Sequence, residues 1–227
     1  MPLTTAVPTF PADPGVQKII DTYRAAAIPL AQRPVGQAQG AMRRQPNAAL
    51  ESVLGNLVAD AQLLATRAPA DGGAQLSFMN PGGLRADLVP DEQGLVRYGQ
   101  LYAVQPFGNQ LVIKTFTGAQ IRAVLEQQFA SGGNTVQRPR VLSVSGGFSY
   151  RYDLSQPTGA RISHMVLNGA PVTDMQSVRV VMSSFLDSGG DNFTVLTQGQ
   201  DRRVGELDLD ALEAYFRLQS PVAPPAT

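Results

Sequence analysis

Asn168-Gly169 is the pair that most narrows what this chain can fold into. Between strand-like runs, Asn-Gly signals a two-residue hairpin turn, because both residues accept φ > 0. The run before it, Arg161-Ile-Ser-His-Met-Val-Leu167, alternates as a strand does. At least one strand pair is therefore antiparallel. Further strand-like runs at 75–79, 110–116, 141–145, 148–152 and 178–182 are interleaved with segments of helical period. That mixture predicts an α+β fold with a mixed sheet, not a doubly wound parallel one.

Helical spacing runs from Val16 to Leu30, with Val16, Ile19, Ile20 and Tyr23 on one face and Pro29 kinking or ending it. Asn47 is placed to cap a second helix, whose Leu50, Val53, Leu54, Leu57, Val58, Ala61 and Leu64 trace a wide apolar face. Gly55 interrupts that helix at a cost of about 1 kcal/mol relative to Ala, which marks a close approach by a neighbour. Tyr98–Val104 reads as a short helix stopped by Pro106. Thr117 caps a helix over 118–129, with Ala119, Ile121, Val124, Leu125 and Phe129 inward. The last helix covers 208–218, with Leu209, Leu212, Tyr215 and Phe216 inward. Residues 1–14 carry four prolines and read as a flexible leader, 32–40 as a polar connector, and the Pro-rich tail from Pro221 as loose.

Composition excludes several chemistries. Zero net charge offers no broad basic surface to a nucleic acid. No apolar run reaches the roughly 18 residues of a membrane span, and Met1-Pro-Leu-Thr-Thr does not begin a signal peptide. Without cysteine there is no disulfide and no thiolate metal ligand. The single histidine, His164, rules out a multi-histidine metal centre within the chain and reads as an ordinary strand residue. No Gly-x-Ser-x-Gly elbow supports a hydrolase triad.

Three glycine turns carry side chains suited to a ligand: Asn80-Pro-Gly-Gly-Leu-Arg85, Pro106-Phe-Gly-Asn109 and Ser184-Phe-Leu-Asp-Ser-Gly-Gly-Asp-Asn-Phe193. Phe107 and Phe185 stand alone at turns, where two rings can sandwich a flat one at roughly 1–3 kcal/mol per stacking contact. Arg85 suits a phosphate or sugar hydroxyls. Asn109 and Asp191 suit polar edges. The plainer alternative puts Phe185 in the core at the end of a strand and treats the turns as turns.

With Gly55-Asn-Leu-Val-Ala-Asp60, these turns resemble, in order and interval, the motif set of the C-terminal domain of bacterial and animal 5′-nucleotidases, two-domain metallophosphoesterases of the UDP-sugar hydrolase type. The resemblance covers roughly residues 30–220. It implies layered α/β/β/α packing and a domain that binds the nucleoside part of a nucleotide. By resemblance Phe107 and Phe185 are the stacking pair, Asn109 contacts the base and Asp191 accepts from the ribose. Asn80 and Arg85 face ribose and phosphate, Gly146 offers a backbone contact beside the base, and Arg44 is the candidate for a further substrate arginine.

The implied organisation is a leader (1–14), the remainder of an interdomain helix with a connector (15–40), the nucleoside-binding domain (41–220) and a tail (221–227). Phosphate removal would then need an N-terminal metallophosphatase domain with two divalent metal ions. This chain would hold no catalytic residue, metal or cofactor and would be inactive alone. The parent would be a periplasmic or extracellular nucleotide phosphohydrolase whose partners are a nucleotide or nucleoside and its own N-terminal domain. The alternatives are a cyclic-nucleotide phosphodiesterase/3′-nucleotidase, a UDP-sugar hydrolase, or a stand-alone binding module. Both aromatics favour a nucleotide over a sulfur-carrier substrate.

Overall fold

The computed structural model describes residues 11–226. Residues 1–10 of the expected leader lie outside the described residues. The remainder of that leader is not loose, since Pro14 is the first residue of helix α1 (Pro14–Ala31), and Asp13 caps it by accepting from the Gly15 and Val16 N–H groups. Pro29 sits inside α1 without ending it. Val16, Ile19, Ile20 and Tyr23 all remain exposed, and α1 buries no residue.

The stretch read as a polar connector contains a strand, β1 (Pro34–Gln37), which pairs antiparallel with β3 (Leu95–Arg97). Val35 and Ala38 are buried there. Helix α2 (Val53–Thr66) starts later than expected and is capped by Ser52, whose hydroxyl accepts from the Gly55 N–H. Asn47 instead holds the preceding turn, accepting from the Ala49 and Glu51 N–H groups.

The central sheet has five strands in the order β12-β4-β11-β2-β7. These are β2 (Leu76–Met79), β4 (Gln110–Thr117), β7 (Ser143–Val144), β11 (Ser177–Ser183) and β12 (Gln200–Leu207). β11 runs parallel to β2 and antiparallel to β4, with Val180 opposite Lys114, so the sheet is mixed as predicted. A second, antiparallel sheet holds β8 (Phe148–Tyr152), β9 (Ile162–Leu167) and β10 (Ala170–Pro171), with the Asn168-Gly169 turn joining β9 to β10. A small hairpin pairs β5 (Ala130–Ser131) with β6 (Asn134–Thr135). His164 is exposed on β9 at φ 51°, where the strand alternation slips.

Alternation along β4 and β11 gives the central sheet two apolar faces. Leu111, Ile113 and Val181 share a cluster with Ala211 of helix α6 (Asp208–Gln219) and partly buried Leu63 of α2. Phe116, Val178, Val180 and Met182 share the other with α4 (Gly118–Glu126) and the second sheet. Phe78 meets Phe148 edge-to-face at 6.4 Å, joining the sheets directly. α4 is shorter than expected, with Ala119 exposed, although Ile121, Val124, Leu125 and Phe129 are buried. The third cluster packs α2 and α6 against α3 (Tyr98–Val104), β1 and β3.

The tail is not loose at its start. Val222 is 2% exposed, its N–H donates to the Gln37 carbonyl and its carbonyl accepts from the Gln39 N–H.

Gly55 faces β7 so closely that an added Cβ would lie 2.0 Å from the Ser143 Oγ and 2.7 Å from its Cβ. In an open helix Gly→Ala gains about 1 kcal/mol. Here overpacking reverses the sign, and Gly55→Ala should lose roughly 1–3 kcal/mol in urea unfolding. Adding Ser143→Gly should recover part of the loss. A stabilised Gly55→Ala protein would contradict this packing.

Candidate functional site

The three glycine turns converge on one open cleft of about 400 Å³, a volume in the usual range of small-molecule sites. Asn80, Arg85, Phe107, Asn109, Phe185 and Asp191 all line it. Phe107 and Phe185 are 57% and 44% exposed, so Phe185 is not the core residue of the plainer reading. Leu186 and Phe193, on either side of the Gly189-Gly190 turn, fill the core instead.

The placement of Phe185 follows from the end of β11. Ser183 caps the single-turn helix α5 (Ser184–Asp187), its hydroxyl accepting from the Leu186 N–H. This turn points Leu186 inward and Phe185 outward. Gly189, at φ 85°, then reverses the chain. A Cβ on Gly190 would stand 2.5 Å from Phe185 Cε1, so the ring lies flush against bare backbone. Asp187, half-buried two residues on, pairs with Lys114 of β4 and accepts from Arg202 at 2.9 Å. Lys114 Nζ also donates to the Leu196 carbonyl at 3.2 Å.

Asp191 takes the left-handed conformation at φ 53°. Its carbonyl accepts from Asn134 Nδ2, and the adjacent Asn192 carbonyl accepts from the Ser131 hydroxyl, which ties the turn to the β5–β6 hairpin. Its carboxylate accepts from Asn80 Nδ2 at 2.8 Å and lies 3.4 Å from Arg140 Nη1. Gly82 sits beside it, where a Cβ would approach Asp191 Oδ2 to 3.2 Å.

Also on the cleft, Phe107 precedes Gly108, which has φ 65°. The Arg85 guanidinium carbon lies 5.7 Å from the Phe107 ring centroid, within reach of a cation–π contact. Asn109 donates from Nδ2 to Asp208 Oδ2 at 3.1 Å. Asp208, at the start of α6, is 2% exposed, and burial pushes its carboxyl above the usual range against the Asn109 hydrogen bond.

Two residues picked from the sequence lie elsewhere. Gly146 is absent from the cleft lining, and its N–H donates to Asp60 Oδ1 at 2.6 Å, tying β7 to α2. Arg44 lines a separate small cavity with Pro81 and Ser143, and its side chain donates to the Leu84 carbonyl. Conversely, Arg140 and Asp208 were not singled out. Arg140 sits in Arg138-Pro-Arg140 with no local pattern to mark it, and only the fold carries it to Asp191.

Residues 34–198 match the family described as 5′-nucleotidase, C-terminal domain. The chain belongs to that family. It is 29% identical over 227 residues to the trifunctional nucleotide phosphoesterase protein YfkN of Bacillus subtilis, covering 93% of this chain and 15% of that protein. It is 34% identical over 178 residues to cell wall protein Lmo0130 of Listeria monocytogenes, covering 74% of this chain and 21% of that one. Among solved structures, a 5′-nucleotidase precursor from Thermus thermophilus superposes with TM-score 0.78 at 32% identity, over 96% of this chain and 43% of its own. The chain thus spans between 15% and 43% of the length of these three proteins. The family and the α+β architecture agree with the resemblance read in the sequence.

Among the described residues no group of three or more His, Cys, Asp or Glu side chains could hold a metal ion, and no helix is long and apolar enough to cross a membrane.

Because Lys114 is only 5% exposed, its charge depends on Asp187 and the carbonyls around it. Lys114→Met should cost ~3 kcal/mol, the order found when one partner of a buried ion pair is removed. Chemical denaturation measures it. A loss under about 1 kcal/mol, the value of an exposed pair, would show that the pair does not hold α5.

Proposed function

We propose that this chain is the nucleoside-binding part of a 5′-nucleotidase-like phosphohydrolase. The observation that carries the reading is the pair of exposed rings, Phe107 and Phe185, on one cleft with Asn80, Arg85, Asn109 and Asp191. Exposed aromatic rings lose apolar burial, and a flat ligand recovers it by stacking. The Asp191 carboxylate, held in place by Asn80, accepts from ribose hydroxyls. Arg85 offers a guanidinium to the phosphate end. Holding the nucleoside this way lowers the entropic cost of presenting its phosphate.

Phosphate release belongs outside the described residues, which offer no metal-binding cluster. Two divalent ions in a preceding metallophosphatase domain would supply a metal-activated water. In that arrangement α1 is the remainder of an interdomain helix, and its exposed face of Val16, Ile19, Ile20 and Tyr23 meets the other domain. The parent works in the periplasm or outside the cell. A cyclic-nucleotide or UDP-sugar substrate for the parent uses the same cleft.

Adenosine should bind the chain with a Kd on the order of 1 mM, because two stacking contacts and one or two hydrogen bonds are offset by the cost of association. In NMR titrations Phe185→Ala should remove detectable adenosine binding, whereas Arg85→Ala should weaken AMP more than adenosine. Unchanged adenosine affinity in Phe185→Ala defeats the stacking assignment.

The purified chain should release no phosphate from AMP when Mn²⁺, Co²⁺ or Zn²⁺ is added. Metal-dependent release that follows the protein through further purification would place the catalytic centre within it.

A further inference from the structure

We infer that Asp208 sets the base preference of the cleft, by locking the Asn109 side-chain amide so that it presents its carbonyl oxygen to a base bearing an exocyclic amino group. The inference rests on the nucleoside reading above and goes beyond it to a substrate class.

The argument starts from acceptor accounting. Both carboxylate oxygens of Asp208 already accept a hydrogen bond: Oδ1 from the Leu209 N–H at 2.8 Å and Oδ2 from Asn109 Nδ2 at 3.1 Å. An ionised carboxylate only accepts, so the partner facing it must be a donor. The nitrogen side of Asn109 is therefore turned to Asp208, whichever way an isolated amide might sit. Backbone holds the pair in register as well, since the Asp208 N–H donates to the Asn109 carbonyl at 2.8 Å.

A planar amide that turns its nitrogen one way turns its oxygen the other. Asn109 Oδ1 receives only a long contact from the Ser184 hydroxyl, at 3.5 Å, and so retains acceptor capacity. Asn109 and Asp208 both line the cleft with the two rings. A stacked base would thus meet a fixed acceptor. Adenine and cytosine offer an amino donor at the equivalent ring position, whereas hypoxanthine and uracil offer an oxygen. An oxygen placed against Asn109 Oδ1 leaves two acceptors facing each other. Sites built around one hydrogen-bond polarity discriminate strongly against ligands that leave it unpaired.

Asp208→Asn provides a test with a predicted reversal. The Leu209 N–H still requires an acceptor, which holds the carbonyl oxygen of the new amide and turns its NH₂ toward Asn109. Asn109 must then rotate to offer its oxygen there, exposing its own NH₂ to the cleft. NMR titrations with adenosine and inosine, which carry an amino or an oxo group at C6 and with it an acceptor or an N–H at N1, read the outcome. The unaltered chain should favour adenosine by about tenfold, the ratio of one well-placed hydrogen bond. Asp208→Asn should lose that preference or turn it toward inosine, while Asn109→Ala should bind both alike.

Equal binding of adenosine and inosine by the unaltered chain overturns the inference and leaves the nucleoside reading standing. So does an unchanged adenosine preference in Asp208→Asn. Should Asp208→Asn fail to fold, the ratio in the unaltered chain and its loss in Asn109→Ala still decide. Binding of neither nucleoside defeats both readings.

Discussion

A single buried ammonium organises the end of this fold that carries the cleft. Lys114 lies in the middle of β4, a strand paired on both sides, and is almost fully removed from water. A charge in that position is tolerated only with charged and hydrogen-bonding partners. Its partners are the Asp187 carboxylate and the carbonyls of Leu196 and Thr197. All three lie in the segment that follows β11. The electrostatic requirement of one central residue therefore fixes the path of the loop that carries Phe185 and Asp191. Arg202 of β12 completes the arrangement from the edge strand by holding the second oxygen of Asp187.

How much of this was legible follows from what kind of force defines each part. β4 and β11 were readable as near-continuous apolar runs, because both faces of their sheet are covered, and α4 and α6 because their apolar positions recur with the helical period. Lys114 hid within β4 because its neighbours Val112, Ile113 and Phe116 carry the apolar signal. β12 was missed for the opposite reason. Its residues Gln200–Val204 are exposed, and backbone hydrogen bonds to β4 make it a strand. β1 and Val222 likewise owe their order to pairing with distant segments, which no local pattern announces. The displaced α2 cap shows competition between two good candidates. Asn47 took the turn, and Ser52 took the helix.

The cleft divides in a similar way. Turn chemistry and isolated aromatics identified six of its lining residues, because exposed phenylalanines beside glycines have few structural uses. Gly146 has the same local appearance, but its N–H is consumed by Asp60, a contact that depends on how α2 lies against β7. Arg140 and Asp208 reach the cleft only through tertiary structure, so neither could be found from neighbours in sequence.

The two aromatic walls are not held alike. Phe185 rests on Gly190 backbone, with its helix anchored through Ser183, Leu186 and Asp187. Its ring has little room to retreat, and any side chain at 190 would displace it. Phe107 stands on a left-handed Gly108 with open space around the glycine, and its visible tether is the Arg85 guanidinium near its ring. A flat ligand would therefore find one preorganised surface and one adjustable surface. Preorganisation lowers the ordering cost on the Phe185 side. The Phe107 side can adapt to ligand thickness, but moving that ring also moves the partner of Arg85. If Phe107 stacks on a base and Arg85 meets its phosphate, as proposed, the two contacts would be coupled through one cation–π pair, and a shift of the ring would be felt at the guanidinium.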